Sequence, residues 1–434
     1  MANTKLTRTF TAGNRRTYTI SCWVKKGFAS DFQTVNAAGA GDDGIFFNGD
    51  NTLHCWFNGG EKRTNRKFRD PNAWYHIVCA VDTTNSTAGD RIKIYINGER
   101  ITSFQTDTNP SLNAENHYNN SGKTNAIGNH TSSSYYMNGS ISHMHYADGT
   151  AYDASTFGST DATTGEWKIN TNPTFTPGTN GFTILKDGNT ITDQSANSNN
   201  FTLASGTLTK TEDCPSNVFA TMNPLLNTNS NLSFTNGNTK MATSSQWLGS
   251  CSTLPMFQGK FYWEFKGDPN FIIGVSQLNS DATEIVELST ANTGYSSRFA
   301  TGYEIINGGN KSNNNNSSTS YGSSYSSSDI GMVAFDATNG VLWFGKNGAW
   351  QNSATQTQIE NGTTTYAAYT GLTNSNGYVA SCSVENGHME FNFGNGYFGT
   401  TAISSEGTNA SGIGKFEYDV TSGYTALSTK GLNE

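Results

Sequence analysis

The stretch from Trp74 to Ile101, WYHIVCAVDTTNSTAGDRIKIYINGERI, constrains the fold more than any other part of the chain. It reads as two sandwich strands ending in an Asn97-Gly98 turn. Tyr75, Ile77, Cys79 and Val81 fall on one face of the first strand, and Ile92, Ile94 and Ile96 alternate with Lys93 and Tyr95 in the second. One face is expected to be core and the other solvated. Asn-Gly supplies the positive backbone dihedrals of a type I′ turn, whose twist matches the strands it joins.

At 434 residues the chain exceeds one sandwich of ordinary size, so two domains are expected. Only 14% of residues are charged and Asn, Ser, Thr and Gly dominate, which suits turn-rich β architecture and argues against helical bundles. Aromatics at 12% supply enough apolar surface for two cores. A net charge of −8 disfavours general affinity for nucleic acid or anionic lipid. No apolar run reaches the length of a membrane span, and MANTKLTRTFTAGNRR lacks the hydrophobic segment of a secretory signal, so synthesis in the cytosol is expected. Cys22, Cys55, Cys79, Cys214, Cys251 and Cys382 show no CxxC spacing and read as free, mostly buried thiols.

Strands are expected at about 17–25, 44–57, 73–82, 91–97 and 138–147. Residues 148–232 are rich in Gly, Thr and Pro and read as an ordered connector. From Gly259 strands resume with KFYWEFK, FIIGVSQ, IGMVAF, VLWFGKNG, YVASCSV and HMEFNFG. Residues 307–328 are polar and of low complexity, and read as a long surface loop with Tyr321 and Tyr325 as its large contact groups. The fold class is therefore all-β, two antiparallel sandwiches of jelly-roll type in tandem. Their boundaries are 1–155, a connector at 156–232, 233–402, and a C-terminal extension at 403–434.

YTISCWVKKG, the Trp74 to Ile101 hairpin and YMNGSISHMHYADGTAYDAS together resemble a laminin G-like domain of the concanavalin A-like lectin/glucanase superfamily, over about residues 1–155. The resemblance implies a two-sheet jelly roll. FYWEFK, IIGVSQ, DIGMVAFDATNGVLWFGKNGAW and NFGNGYF resemble a SPRY domain, another two-sheet sandwich. In that hairpin Asp336 and Asn339-Gly340 close a turn, after which Val341 and Trp343 alternate with Leu342 and Phe344. ADGTAYDASTFGSTDATTGEWKI, TDQSANSNNFT and EYDVTSGYTALSTKGLNE are similar to connector segments of tailed-bacteriophage virion proteins. That similarity implies a surface-exposed capsid or tail appendage, other virion proteins as partners, and a homo-oligomer. The absence of a recognisable tail-attachment domain or a heptad stalk favours a capsid-attached or otherwise accessory appendage over a tail fibre.

Catalysis finds little support in the sequence. Retaining glycoside hydrolysis wants two carboxyls about 5 Å apart, and the E-x-D-x-E strand that supplies them in this superfamily is missing. Glu264 has no acidic neighbour two residues away, and Glu417 with Asp419 stands alone. No G-x-S-x-G elbow is present. His143 and His145, two apart in one strand, share a face but have no further ligands in sequence, so no transition metal is assigned. No cofactor is expected, with calcium the one ion considered, through Asp42, Asp43, Asp50 and Asp90 in loops.

Binding residues are more legible. EKRTNRKFR places Lys62, Arg63, Arg66, Lys67 and Arg69 around Phe68, a basic cluster suited to docking on an acidic protein or acidic glycan. Sugar recognition wants exposed aromatics that stack on pyranose faces beside amides and hydroxyls. The candidates are Trp56 with Asn58, Tyr135 with Tyr136, and Tyr321 with Tyr325. Trp23, Trp74, Trp263 and Trp343 sit in strands and read as core. The sequence points to adhesion, with host-surface carbohydrate or protein as the ligand and neither nucleic acid nor membrane insertion involved. Purely structural decoration and a free lectin-like protein are the alternatives.

Overall fold

The computed structural model describes residues 3–27, 32–39, 43–57, 59–186, 188, 190–226, 229–244, 246–277, 302–313, 318–373 and 375–434. The chain divides into two units, Met1–Lys210 and Thr211–Glu434, each almost wholly β.

In the first unit one sheet, eight-stranded among the described residues, runs in hydrogen-bonded order. It comprises β10 (Phe104–Thr108), β6 (Gly60–Lys67), β5 (Thr52–Phe57), β4 (Gly44–Phe47), β3 (Gln33–Ala38), β11 (Thr124–Ile127), β1 (Lys5–Thr9) and β16 (Thr202–Ser205). The sheet packed against it comprises β15 (Phe182–Ile184), β12 (Gly139–Asp148), β2 (Thr17–Lys26), β7 (Trp74–Asp82), β8 (Ile92–Ile96) and β9 (Glu99–Arg100). The period-2 alternation holds. Tyr75, Ile77, Cys79, Val81, Ile92, Ile94 and Ile96 meet Ile45, Phe47, Leu53, Cys55 and Phe57 in one core. The stretch at 44–57 is two strands, since Asn51, at φ 68, turns the chain between β4 and β5.

The turn chemistry is as read. Asn97 and Gly98 have φ of 48° and 82°, and the Asn97 side-chain oxygen accepts the His76 backbone N–H at 2.8 Å. Gly98 is needed twice over, because a Cβ there would lie 2.4 Å from the Trp167 ring.

The face expected to be solvated is instead covered. Phe157, Trp167, Phe175 and Tyr152 pack over Val78 and Tyr95, and the hairpin of β13 (Gly158–Thr160) and β14 (Trp167–Ile169) belongs to this strap. The Trp167 indole N–H donates to His76 Nδ1 at 3.0 Å, so His76 is protonated on Nε2 and donates to Ser21 Oγ at 2.9 Å. The His76 ring stacks on Trp23 at 4.9 Å, and the Trp167 ring that bonds to it lies 5.9 Å away. Burial pushes its pKa down to about 3, which keeps it neutral. Of the segment read as a connector, β15 and β16 extend the two sheets of this unit, and residues from Thr211 onward belong to the second.

His143 and His145 do not form a regular pair. β12 carries a bulge between Ser142 and His145, and His143, at φ 47, is the extra residue. His145 is buried on the Phe157 ring at 5.6 Å, with its pKa pushed down to about 3 by burial.

The second unit pairs a sheet of β17 (Leu232–Thr235), β18 (Lys240–Thr243), β29 (Gly387–Asn392), β20 (Lys260–Gly267), β25 (Gly331–Asp336), β26 (Val341–Lys346) and β27 (Ala349–Trp350) with a second sheet. The second comprises β19 (Leu248–Cys251), β28 (Tyr378–Val384), β21 (Phe271–Gln277), β22 (Gly302–Ile306), β23 (Asn310–Asn313) and β24 (Thr319–Ser320). β30 (Tyr397–Phe398) and β31 (Thr401–Ala402) form a small hairpin, and β32 (Thr425–Ala426) runs parallel to β20. Phe261, Trp263, Phe265, Leu342 and Phe344 enter the core between the sheets. Tyr262, Val341 and Trp343 point to the opposite face and are covered by Phe416, Val420 and Tyr424. The C-terminal extension is thus part of this unit.

Glu264 fixes that covering segment. Its side chain is fully buried. It accepts from the backbone N–H groups of Glu417 and Tyr418, both at 2.9 Å, the Tyr262 hydroxyl at 3.0 Å and the Asn392 amide at 3.1 Å. With all four donors satisfied, the carboxylate is a structural clamp.

The segment read as a surface loop at 307–328 is corrected in part. β23 and β24 lie inside it, and Tyr321 and Tyr325 are core residues, only 6% and 5% exposed. Polar neighbours in sequence concealed two aromatic plugs.

Candidate functional site

The alternation that sends Ile45, Phe47, Leu53, Cys55 and Phe57 inward turns Phe46 on β4 and His54 and Trp56 on β5 to the outer face of the eight-stranded sheet. Loop residues complete a continuous aromatic shelf there. Phe32 stacks on Phe46 at 4.8 Å and meets Tyr135 edge-on at 5.1 Å. Phe46 lies 6.1 Å from both His54 and His130, and His54 stacks on Trp56 at 5.7 Å. Phe46, His54 and His130 are buried, Trp56 and Phe32 are half-buried and Tyr135 is 44% exposed, and Tyr136, the sequence neighbour of Tyr135, is half-buried. The shelf thus has a packed base and an accessible aromatic edge.

Polar groups line its β6 side. Trp56 is paired in register with Glu61, and His54 with Arg63. His54 Nε2 lies 3.2 Å from Glu61 Oε1. The Arg63 guanidinium contacts Asp50 Oδ2 at 2.9 Å and donates to Thr52 Oγ1 at 3.0 Å. Partial burial opposes ionisation of Asp50. The Thr52 hydroxyl and backbone N–H, together with the Arg63 charge, outweigh it and hold the carboxyl below its ordinary range. The result is an aromatic surface edged by two carboxylates, Asp50 paired with Arg63 and Glu61 beside His54, a combination that suits hydroxyl-rich ligands.

The structure brings together residues drawn from three separate sequence groups: Trp56 and Tyr135 from the aromatics, Arg63 from the basic cluster and Asp50 from the calcium candidates. Asn58 and Asp42 lie outside the described residues. The basic cluster is corrected, because its cations do not form one patch. Lys62 is 2% exposed. It reaches the Asp107 carboxylate, donates to Asn109 Oδ1 at 2.9 Å and lies 5.2 Å from the Phe104 ring. Arg66 faces Glu99 at 3.6 Å, while Lys67 and Arg69 are exposed. The strand period explains this, since consecutive residues of β6 point to opposite faces.

The calcium candidates are engaged elsewhere. Asp43 is buried against His117 Nδ1 at 2.7 Å, and Asp90 contacts Arg100, which holds its pKa low. Among the described residues no three His, Cys, Asp or Glu side chains converge as metal ligands. Glu417 accepts the Ser404 N–H at 2.6 Å and Asp419 the Thr408 N–H at 2.7 Å, so both shape loops.

Tyr321 and Tyr325 are removed from the sugar candidates. Their hydroxyls donate to the carbonyls of Tyr366 at 3.2 Å and Gly345 at 3.1 Å, and the Tyr325 ring packs against both Phe265 and Phe271. Tyr325→Ala is expected to destabilise the second unit by about 3 kcal/mol or more, with ligand binding by the first unit unchanged. Denaturant unfolding followed by a binding assay checks both.

Phe32, Phe46, His54, Glu61 and His130 were missed. Phe46, His54 and Glu61 carried a signal, since they lie at even spacing from, or in hairpin register with, Trp56. Phe32 and His130 sit in loops whose approach no local pattern encodes.

Residues 3–151 match the family Laminin_G_3, described as the concanavalin A-like lectin/glucanases superfamily. No curated protein matches the chain. Among solved structures it is similar to the SPRY domain of human HERC1, at 13% identity and a TM-score of 0.26, covering 35% of this chain and 86% of that one. It is also similar to the PSpry domain of TRIM65, at 11% identity and a TM-score of 0.27, covering 40% and 91% respectively. A third is the native heptameric SAP-like pentraxin from Limulus polyphemus, at 15% identity and a TM-score of 0.26, covering 34% and 71%.

Proposed function

We propose that the chain is a non-enzymatic adhesion protein of a bacteriophage virion, and that the aromatic shelf of its first unit binds neutral sugar rings on the host surface. The observation that carries the sugar assignment is the continuous ring network ending in the accessible edges of Trp56 and Tyr135. Such surfaces stack on the C–H faces of pyranoses while neighbouring carboxylates accept hydroxyl protons. A neutral ligand fits better than an acidic one, because Arg63, the cluster cation in register with the shelf residue His54, is paired with Asp50. The superfamily match over residues 3–151 supports carbohydrate or protein binding.

The virion assignment rests on the similarity of the segments at 147–169, 192–202 and 417–434 to phage connectors. In a particle, several copies would raise a weak site to useful avidity. The competing role is decoration that only contacts other virion proteins, favoured by Leu225 and Phe257, which are 52% and 59% exposed on the second unit.

Two measurements test these assignments. The full chain is screened on an array of bacterial surface glycans, where binding to neutral glycans is expected and an array blank at every concentration would remove the sugar assignment. Antibody to residues 259–400 is applied to purified particles in immunogold electron microscopy. Label on capsid or tail is expected, and unlabelled particles would remove the virion assignment.

A further inference from the structure

We propose that Cys55 and Cys79 form a disulfide joining the two sheets of the first unit when the protein meets an oxidant. Cys55 lies on β5 of one sheet and Cys79 on β7 of the other. Both side chains are fully buried, and their Sγ atoms are 3.3 Å apart. A disulfide requires about 2.05 Å between sulfurs, so the sulfurs must close by little more than 1 Å. Sheets pack about 10 Å apart, so the bond also draws the two strands together at this point, and the oxidised state pinches the sandwich where Cys55 faces Cys79. Cys22 is the third thiol of this core, but it sits on β2, in the same sheet as Cys79 and in register with Ile77. Cys55 is thus the partner of Cys79 across the sandwich.

Burial raises the thiol pKa of Cys79, and the neighbouring Cys55 adds to the effect. In the closed fold both thiols are shut off from solvent and Cys79 is slow to ionise, so cross-linking proceeds through opening of the sheets or before the core closes. With a small disulfide such as oxidised glutathione as the oxidant, one cysteine thiolate attacks it and releases one glutathione thiolate. The second cysteine thiolate then displaces the other glutathione from the mixed disulfide. The protein loses two protons and two electrons, and the oxidant becomes two thiols. Cys55 stands between His54 and Trp56, so the bond would anchor the strand that carries the shelf. The inference is independent of what the shelf binds.

The test is to incubate the full chain with oxidised glutathione at graded temperatures below its melting transition, then denature, alkylate with iodoacetamide and map the peptides. A Cys55–Cys79 cross-linked peptide is expected, with the other four cysteines alkylated. The melting midpoint of the first unit should also rise by several degrees and fall back on reduction. Cys55→Ala, which keeps the core apolar, should show neither effect. Six alkylated cysteines at every temperature, or a cross-link using Cys22 in place of Cys55, would overturn the proposal. The peptide map of the unmutated chain decides the matter even if the variant fails to fold.

Discussion

Trp56→Ala is expected to weaken binding of the full chain to its glycan by about 30-fold, equivalent to about 2 kcal/mol, the scale of an aromatic hot spot. The side chain is half-buried on the outer face and absent from the sandwich core, so its removal strips the ligand platform without opening a cavity between the sheets. Unfolding of the first unit should shift by no more than about 1 kcal/mol. Tyr135→Ala should weaken binding less, by roughly 5-fold, since among the described residues this ring meets the shelf at its margin, through Phe32 and His130. Isothermal titration with the array's best ligand measures both. Retained affinity in Trp56→Ala would move the site off this face, whereas loss of affinity together with collapse of the first unit would mark Trp56 as structural.

The largest stability effect is expected at Glu264. Glu264→Ala leaves the backbone N–H groups of Glu417 and Tyr418 and the Asn392 amide facing a cavity, at a cost of about 4 kcal/mol to the second unit. The covering segment should then become the preferred site of limited proteolysis. Glu264 also predicts a pH dependence. Burial raises its pKa from 4.5 to about 7, overcoming the hydrogen bonds from Glu417, Tyr418, Tyr262 and Asn392 that favour the charged form. Between these values the folded state holds a proton that the unfolded state releases. Its stabilising contribution is therefore complete below about pH 4.5 and is lost as pH rises through 7. The total is on the order of 3 kcal/mol. Glu264→Gln cannot titrate, so the difference between wild type and this variant isolates the effect in unfolding curves taken from pH 4 to 8. A difference that is flat with pH would show that the carboxylate is ionised throughout.

Features that depend only on neighbours along the chain were legible before folding. Alternation in Trp74–Asp82 and Ile92–Ile96 set which side chains enter the core, because the strand period admits no other face once one is apolar. Asn97-Gly98 set the hairpin, because few dipeptides accept two positive φ values. Tertiary structure decided everything that depends on what approaches a strand from outside. His76 and Val78 looked solvated until Trp167 and Phe157 covered them. Tyr321 and Tyr325 looked exposed because serines and asparagines surround them in sequence, yet each ring fills a core and each hydroxyl finds a carbonyl. Glu264 looked like a solitary acid, and its role follows from backbone N–H groups more than 150 residues away. The shelf has the same origin. Trp56, Phe32 and Tyr135 come from one strand and two loops, and the closing of the sheet, which no local propensity encodes, is what lays their rings side by side.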